Sequence, residues 1–429
     1  MERFLFHKSD KYILTLSLFF ALTTRVFSQT NVASEVDKIA IPFSLNFKDN
    51  VNNFEKFEAN IIEKKIFALG EATHGTKEFF VVKDHLVRSL VSKMNVKSIV
   101  IEADFSGTLK INDFILYGKG DPKDALLSMK MALYNNQEFL DMVIWLRNYN
   151  SMQGQENKVH FYGCDMQTPT LISNSLLNGS IKTLQPISLL CKDGLRLLFL
   201  TKNQDLKKND IILLQKTRDE LATLKIIDGG MAKVEVQAIK TIIQAINLRL
   251  NIRNSASLRD EYMAKNCEWL YDFHEKSNMI IWAHNLHINK VNSIFKHKPM
   301  GQYLKEKYAD EYYALGFGFG SGTIRASDFT DNFKSKIFDL QKVIEKNSSD
   351  YIFSQSSLPN FIIDFKSAIS NQEMNNFLTK KVHSRTIGFA INPANKSVQK
   401  DIFMPLLSLY DGILFIRNTT AASEQLTPN

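Results

Sequence analysis

Cysteine is scarce in this chain, and several catalytic motifs are missing from it. Its three cysteines are too few and too widely spaced for a disulfide framework or a zinc knuckle. No HExxH zinc motif and no Gly-x-Ser-x-Gly nucleophile turn is present. No internal repeat of fixed period is evident, which argues against a solenoid or a propeller. A disulfide-rich module, an HExxH protease and an ordinary serine hydrolase are therefore disfavoured.

The chain also has only a small excess of positive over negative charge. The 429 residues carry a formal net charge of +8, and the lysines are scattered among carboxylates rather than gathered into a basic stripe. The sequence thus shows no basic patch of the kind that binds nucleic acid, so no nucleic-acid partner is expected. With 44% hydrophobic and 23% charged residues the composition is typical of a globular protein. Because the charges are well mixed, a monomer is expected.

Long hydrophobic runs are absent except near the N-terminus. There, Arg3, Lys8 and Lys11 precede an apolar run from Ile13 to Leu22, which is too short to span a bilayer. Together with small Ser28 as a cleavage position, this pattern predicts a signal peptide over residues 1–28 and a secreted or periplasmic protein without a stable membrane anchor. The alternative is an uncleaved amphipathic anchor.

Short apolar runs alternate with longer helical stretches along the remaining chain. This alternation predicts an α/β fold with a mainly parallel sheet and helices on both faces. The runs expected to form strands are Ile66–Leu69, Ser98–Ile101, Val159–Tyr162, Met279–Trp282, Tyr312–Phe317 and Gly412–Ile416.

The spacing of these runs predicts the domain organisation. More than 100 residues without a convincing strand separate the third run from the fourth, which indicates a helical insertion. A further change of pattern after about residue 319 indicates a small α+β subdomain. The expected division is the α/β core over 29–168, the insertion over 169–275, the core again over 276–318, the subdomain over 319–390 and the last part of the core over 391–429.

Polar residues follow the ends of four predicted strands. Because the carboxyl ends of parallel strands lie at one edge of a sheet, these side chains are expected to converge on one crevice. They are Glu71 and His74 after the first strand, Glu102 and Asp104 after the second, Asp165 after the third, and His284 and His287 after the fourth.

A glycine-rich stretch, Gly316–Gly322, follows the fifth predicted strand. It has no Walker lysine, and its glycines interleave with phenylalanines, so a nucleotide-binding loop is not favoured. A flexible apolar rim to the pocket or a tight turn is expected there.

Four sequence motifs carry a resemblance to a known family. They are Gly-Glu-Ala-Thr-His-Gly at 70–75, Ile-Glu-Ala-Asp at 101–104, Arg-Asp-Glu-Tyr-Met-Ala at 259–264 and Trp-Ala-His-Asn-Leu-His at 282–287. In this order they resemble the motifs of the erythromycin esterase family. The resemblance implies an α/β core with a helical insertion that hydrolyses the lactone ester of macrolides, a small-molecule substrate, with neither a serine nucleophile nor a metal or other cofactor.

The resemblance also implies roles for individual residues. His74 would be the general base, Glu71 and Glu102 would orient it and the water, and His284 and His287 would be further catalytic histidines. Four residues would bind the substrate. One of them is a helix lysine at a position where some family members have an arginine, and a lysine lacks the planar two-donor fork of arginine. These four are Lys83, Arg259, Asp104 and Asp165.

General chemistry supports part of this interpretation. A histidine beside a carboxylate suits the removal of a proton from water, and pre-aligned donors such as protonated His284 or His287, Lys83 or the amides near Gly75 could stabilise an oxyanion. Two other hypotheses stay open, namely a zinc or iron hydrolase acting on cell-envelope or polysaccharide esters and a protein that binds haem or another apolar ligand. Purely structural roles are the alternatives: Glu71 would cap the following helix, and Asp104 and Asp165 would support loops.

Overall fold

A computed structural model describes residues 31–46, 51–200, 205–225, 233–292, 297–340, 346–393 and 400–427. The segment predicted to be a signal peptide, residues 1–28, lies outside these ranges and stays a prediction. Within them, no helix combines the length and apolar character needed to cross a membrane.

In the residues that the structure describes, twelve strands form a large mixed sheet and a separate two-stranded sheet. They are β1 (Ile41–Pro42), β2 (Ile66–Leu69), β3 (Ser98–Asp104), β4 (His160–Asp165), β5 (Met279–Trp282), β6 (Tyr312–Asp328), β7 (Lys334–Asp339), β8 (Asn360–Asp364), β9 (Lys381–Thr386), β10 (Ala390–Ile391), β11 (Lys400–Pro405) and β12 (Gly412–Thr419).

The main sheet has the strand order β1-β8-β12-β6-β2-β5-β3-β4, with β7 and β10 paired to the far end of β6. All neighbours from β12 to β4 run parallel, whereas β8 is antiparallel to β12 and β1 is antiparallel to β8. The predicted α/β fold with a mainly parallel sheet is therefore confirmed. The strands β9 and β11 form the small antiparallel sheet.

Helices cover both faces of the main sheet, because its central strands are apolar on both sides. In β2, Ile66 and Ala68 join one hydrophobic core, while Phe67 and Leu69 join the other. The helices are α1 (residues 31–39), α2 (Val51–Asn60), α3 (Lys77–Lys93), α4 (Leu109–Tyr117), α5 (Pro122–Ser128), α6 (Gln137–Ser151), α7 (Thr170–Leu177), α8 (Leu189–Leu200), α9 (Lys208–Ala222), α10 (Lys233–Leu250), α11 (Ser255–Phe273), α12 (Asn285–Ile288), α13 (Met300–Tyr308), α14 (Ser349–Ser354), α15 (Phe365–Ala368), α16 (Gln372–Thr379) and α17 (Leu406–Leu409).

The described part of residues 169–275 contains helices α7 to α11 and no strand. The α+β subdomain predicted over 319–390 is less separate than expected, because β8 pairs with β12 and so belongs to the main sheet. The domain boundary predicted at residue 318 also falls inside β6 and needs correction.

The glycine-rich stretch is part of strand β6, so the expectation of a flexible rim or tight turn is wrong. The reason lies in the neighbouring elements rather than in the local sequence. A Cβ atom at Gly316 would lie 2.7 Å from the ring of Tyr410, and one at Gly320 would lie 2.4 Å from the carbonyl oxygen of Arg417. These glycines allow close packing on an extended strand.

Candidate active site

The turn between β2 and α3 holds Glu71 and His74. The Nδ1 atom of His74 lies 2.6 Å from Oε1 of Glu71, and both side chains are buried. Gly75 is required in this turn because a Cβ atom there would lie only 1.7 Å from the carbonyl oxygen of Arg325 in β6. Thr76 occupies the N-cap position of α3, but its hydroxyl makes no capping hydrogen bond.

Two donors from other elements fix Glu71. The Nζ atom of Lys83 and the Nε1 atom of Trp282 donate to its Oε2 atom at 2.6 and 2.9 Å. Burial alone would raise the pKa of Glu71, but the charges of Lys83 and His74 outweigh burial and lower this pKa to about 2. Glu71 is therefore ionised at neutral pH, and it favours the tautomer of His74 with the proton on Nδ1.

Lys83 does not reach a substrate, contrary to the prediction from its family position. Its side chain is fully buried behind Glu71, and its Nζ atom lies 4.4 Å from the ring centre of Trp282. Burial lowers the pKa of Lys83 to about 8, against the opposing attraction of Glu71. Because this cation is enclosed by the core, it acts on the site only through Glu71.

His74 lies at the edge of a narrow cleft that opens to solvent and has a cavity volume of about 30 Å³. The cleft lies between the 3-10 helix Ala132–Tyr134, the end of the β6–β7 hairpin and the C-terminal segment around residues 422–425. Among the described residues, no group forms a hydrogen bond with Nε2 of His74. That nitrogen is thus the one available to a water molecule or substrate.

Glu102 and Arg259 form the centre of a second charged cluster. Oε1 of Glu102 accepts a hydrogen bond from Nη2 of Arg259 at 2.9 Å. Asp165 binds Nε and Nη2 of the same guanidinium at 3.1 and 2.8 Å. The planar fork of Arg259 is therefore used by two protein carboxylates, which supports the predicted nearness to the site but leaves this fork little capacity to clamp a substrate.

His287 is placed between two carboxylates. Its Nε2 atom lies 3.2 Å from Oε1 of Glu102, and its Nδ1 atom lies 2.7 Å from Oδ1 of Asp260. Burial would lower the pKa of His287, but the two negative charges raise it to about 10 despite nearby Arg259. The ring is therefore an imidazolium at neutral pH.

Sequence reasoning did not select two residues of this cluster. Asp260 was visible only as part of a motif, and its Oδ2 atom lies 3.0 Å from Nε2 of His297. His297 lies between two lysines in the sequence, where a solvated histidine is typical. The residues beside it in the sequence do not indicate the contact with Asp260. That contact depends on the packing of α11 against the segment that precedes α13.

His284 has a different environment from His287, although only two residues separate them. Its Nδ1 atom accepts a hydrogen bond from the amide of Leu286, so the proton is on Nε2, which faces the carbonyl oxygen of Ile387 at 3.1 Å. Burial and the nearby charge of His74 lower the pKa of His284 to about 3. The suggestion of a protonated His284 as an oxyanion donor is therefore wrong.

His284 nevertheless joins the two charged groups. Its ring lies against that of His74, with 4.9 Å between the ring centres, and its backbone N–H donates to Oε2 of Glu102 at 2.8 Å. The predicted catalytic residues Glu71, His74, Glu102, His284 and His287 are thus brought together at the carboxyl ends of β2, β3 and β5.

Comparison with known proteins identifies the family of the chain that carries this arrangement. The model of the erythromycin esterase family matches residues 91–189 and 198–419. This chain belongs to that family. Glu102, Arg259, His284 and His287 lie within the matched residues, whereas the Glu71–His74 turn precedes them. As a member of the erythromycin esterase family, the chain is a hydrolase that acts on carboxylic ester bonds of small molecules.

Individual relatives and solved structures agree with this assignment. An erythromycin esterase type II of Escherichia coli is 26% identical over 76% of this chain and 87% of its own length. A putative hydrolase, YbfO, of Bacillus subtilis is 22% identical over 62% and 67%, respectively. A crystal structure of a Bacillus cereus protein has a TM-score of 0.77 at 21% identity, covering 93% of this chain and 99% of that one. A mutant of the erythromycin esterase EreC in its open conformation has a TM-score of 0.66 at 17% identity, covering 91% and 99%.

Asp104 has a position that differs from the family-based expectation of substrate binding. Its Oδ1 atom accepts hydrogen bonds from the hydroxyl of Ser106 and the amide of Gly107, at 2.6 and 2.8 Å. Burial, with a contribution from the charge of Asp165, raises the pKa of Asp104 to about 7 despite these bonds. Asp104 supports the turn after β3 and does not line the His74 cleft.

The alternative of a metal hydrolase was based on the same carboxylates and histidines. Across the ranges that the structure describes, no group of three or more histidine, cysteine, aspartate or glutamate side chains has an arrangement able to hold a metal ion. Instead, these side chains pair with each other and with Lys83 and Arg259.

Proposed function

We propose that this protein opens the lactone ring of macrolide antibiotics with water activated by His74, and that it thereby gives resistance to them. The observation that carries the proposal is the fixed array of Lys83 and Trp282 on Glu71, and of Glu71 on Nδ1 of His74. The relative named erythromycin esterase type II supports the choice of substrate.

The first step in this proposal is attack by water. Nε2 of His74 accepts a proton from water while the water oxygen bonds to the lactone carbonyl carbon. The proton on Nδ1 stays directed at Glu71, whose negative charge stabilises the imidazolium that forms. A histidine acting as general base typically contributes about a hundred- to ten-thousand-fold in rate.

The second step is collapse of the tetrahedral intermediate. The bond between the carbonyl carbon and the ring oxygen breaks, and His74 returns its proton to the leaving alkoxide, so that the product is an open-chain hydroxy acid. Charge on the oxyanion requires a fixed positive partner. The candidate is the imidazolium of His287, which acts through its charge because both of its ring nitrogens already face carboxylates, whereas Lys83 is fully buried behind Glu71.

The location of this activity follows from the N-terminal sequence. The basic residues, the short apolar run and the small residue at position 28 support export to the periplasm or secretion. In that location a monomeric esterase would meet macrolides before they reach the interior of the cell.

The test is the gain of one water molecule by a macrolide, measured by mass spectrometry. Purified protein is expected to convert erythromycin to its hydrolysed form, and His74→Ala is expected to abolish conversion while the circular dichroism spectrum stays unchanged. His383→Ala, in the small β9–β11 sheet, is the matched histidine control and should keep full activity. Full activity of His74→Ala would refute the role of His74.

Two further measurements separate the alternatives. Loss of activity with a strong chelator, with recovery on addition of zinc or iron, would favour the metal hydrolase. A haem-like absorption band in the purified protein would favour the binding protein. If no macrolide gains water, acylated polysaccharides are the next substrates to test, and a solved structure titled as a succinoglycan biosynthesis protein, with a TM-score of 0.76, motivates that choice.

A further inference from the structure

Three exposed phenylalanines form a contiguous surface, which we call the aromatic platform: Phe329, Phe333 and Phe389. Their exposed fractions are 59%, 49% and 54%. The rings of Phe329 and Phe333 are 5.2 Å apart between centres, and the ring of Phe333 stacks on that of Phe389 at 6.0 Å with an angle of 16°. Three large apolar rings grouped in contact with solvent point to a binding surface, unlike exposed residues scattered singly.

The backbone at the tip of the β6–β7 hairpin holds this platform in place. Asn332 and Phe333 both have left-handed φ values, of 47° and 58°, a conformation that is strained for a bulky side chain. Asp328 fixes the tip by accepting from the backbone and hydroxyl of Thr330 and from Nζ of Lys336. Strain of this kind at an exposed ring indicates that the position of the ring matters.

The platform continues the surface of the His74 cleft. Ser327 and Ser335 are paired across the hairpin, and both line the cleft. Phe329 and Phe333 lie two residues beyond them at the tip, and the carbonyl oxygen of Phe389 accepts the N–H of Ser327. A molecule that extends out of the cleft along this hairpin therefore reaches the platform directly.

Size and charge indicate what would occupy the platform. The cleft has a cavity volume of about 30 Å³, far below the ~300–1,000 Å³ typical of small-molecule sites, so a large substrate must extend beyond it. The neighbouring lysines, Lys334 and Lys336, are paired with Asp328 and Asp331. Because this pairing neutralises them, the platform offers apolar contact rather than attraction for an anionic surface.

We infer that the aromatic platform binds the apolar, non-reacting body of the ester substrate while the ester itself lies beside His74. The inference rests on the proposed function, because it takes the His74 cleft as the place of reaction. It makes Phe329, Phe333 and Phe389 specificity-determining residues for bulky apolar esters. A small ester, which lacks such an apolar body, does not need them.

The test is equilibrium binding, which does not depend on turnover. Erythromycin and p-nitrophenyl decanoate are titrated by calorimetry into the His74→Ala protein, alone and combined with Phe333→Ser or with Phe329→Ser and Phe389→Ser. Loss of an apolar ring contact is expected to weaken binding roughly 10- to 100-fold. Phe403→Ser is the matched control, since Phe403 is 51% exposed but lies on β11, away from the cleft.

The outcomes separate this inference from the proposed function. Weaker binding in the platform variants alone supports the inference, even if the wild-type protein fails to hydrolyse erythromycin. Equal binding in platform and control variants overturns it, as does the absence of binding by both esters. Dimerisation that the Phe333→Ser change abolishes, seen by analytical ultracentrifugation, would identify the platform as a contact between two copies and would also overturn it.

Discussion

Replacing Lys83 by methionine tests how the buried charges around Glu71 are balanced. The change keeps the length of the side chain and removes its charge, so that ionised Glu71 loses its closest cationic partner at 2.6 Å. Removing one partner of a buried ion pair typically costs about 3–5 kcal/mol, because the other charge is left unpaired in the core. Against a typical total stability of about 5–15 kcal/mol, such a loss is easily measured.

The pH dependence of this loss has a definite sign. In the wild-type protein the pKa of Glu71 is lowered from 4.5 to about 2, which corresponds to about 3 kcal/mol of stability that is present above pH 4.5 and lost as pH falls through 2. Without Lys83, the largest charge that opposes burial is gone, so the pKa of Glu71 rises and the variant takes up this proton at a higher pH than wild type. The difference between the two proteins is therefore expected to shrink from pH 7 toward pH 4.

Urea denaturation of four proteins completes the test: wild type, Lys83→Met, Glu71→Gln and the double variant. The double variant replaces the ion pair by neutral groups and is expected to lie within about 1–2 kcal/mol of wild type at pH 7. Its ester hydrolysis should nevertheless be strongly reduced, because the neutral amide introduced by Glu71→Gln cannot stabilise a His74 imidazolium. A cost below about 1 kcal/mol for Lys83→Met, independent of pH, would refute the assignment of an ionised, paired Glu71.

Three other predictions concern the rest of the site. Hydrolysis by the wild type should fall as pH rises through about 10, where the His287 imidazolium loses its proton, and a His287→Gln variant should start from a lower rate and lack this step in its pH–rate profile. Gly75→Ala should lower the free energy of unfolding by about 1–3 kcal/mol or more, measured by urea denaturation, because the new Cβ meets the Arg325 carbonyl. Arg259→Lys should cost about 1.5–3 kcal/mol in the same assay, because lysine cannot reproduce the two-donor contact with Asp165, and equal stability would contradict that role.

The sequence was sufficient to predict the parallel strands β2 to β6 and β12 and the meeting of the site residues. Apolar runs such as Ile66–Leu69 and Met279–Trp282 form strands at the expected positions, and the polar residues that follow them converge because parallel strands end at one edge. The length of β6 could not be predicted in this way. In the sequence alone its glycines indicate a turn, whereas in the structure they belong to one long strand. Their actual cause is close packing against Tyr410 and Arg417, which are about 90 residues away along the chain.

The charge state of the two neighbouring histidines could not be predicted in the same way. His284 and His287 have the same side chain and adjacent positions, but one faces a backbone carbonyl and the other faces two carboxylates. The carboxylate of Asp260 comes from helix α11, so the pKa of His287 depends on packing between distant segments. Sequence spacing places such groups together, but it does not determine which partner each nitrogen meets.

Strand β5 explains how the two charged clusters become one site. It lies between β2 and β3 in the sheet, although more than 170 residues separate it from either strand in sequence. From the end of β5, Trp282 donates to Glu71 and the backbone of His284 donates to Glu102. A shift of β5 by one residue would exchange the faces of its side chains and break both contacts together. The proposed general base and the His287 imidazolium are therefore both positioned by the register of this single central strand.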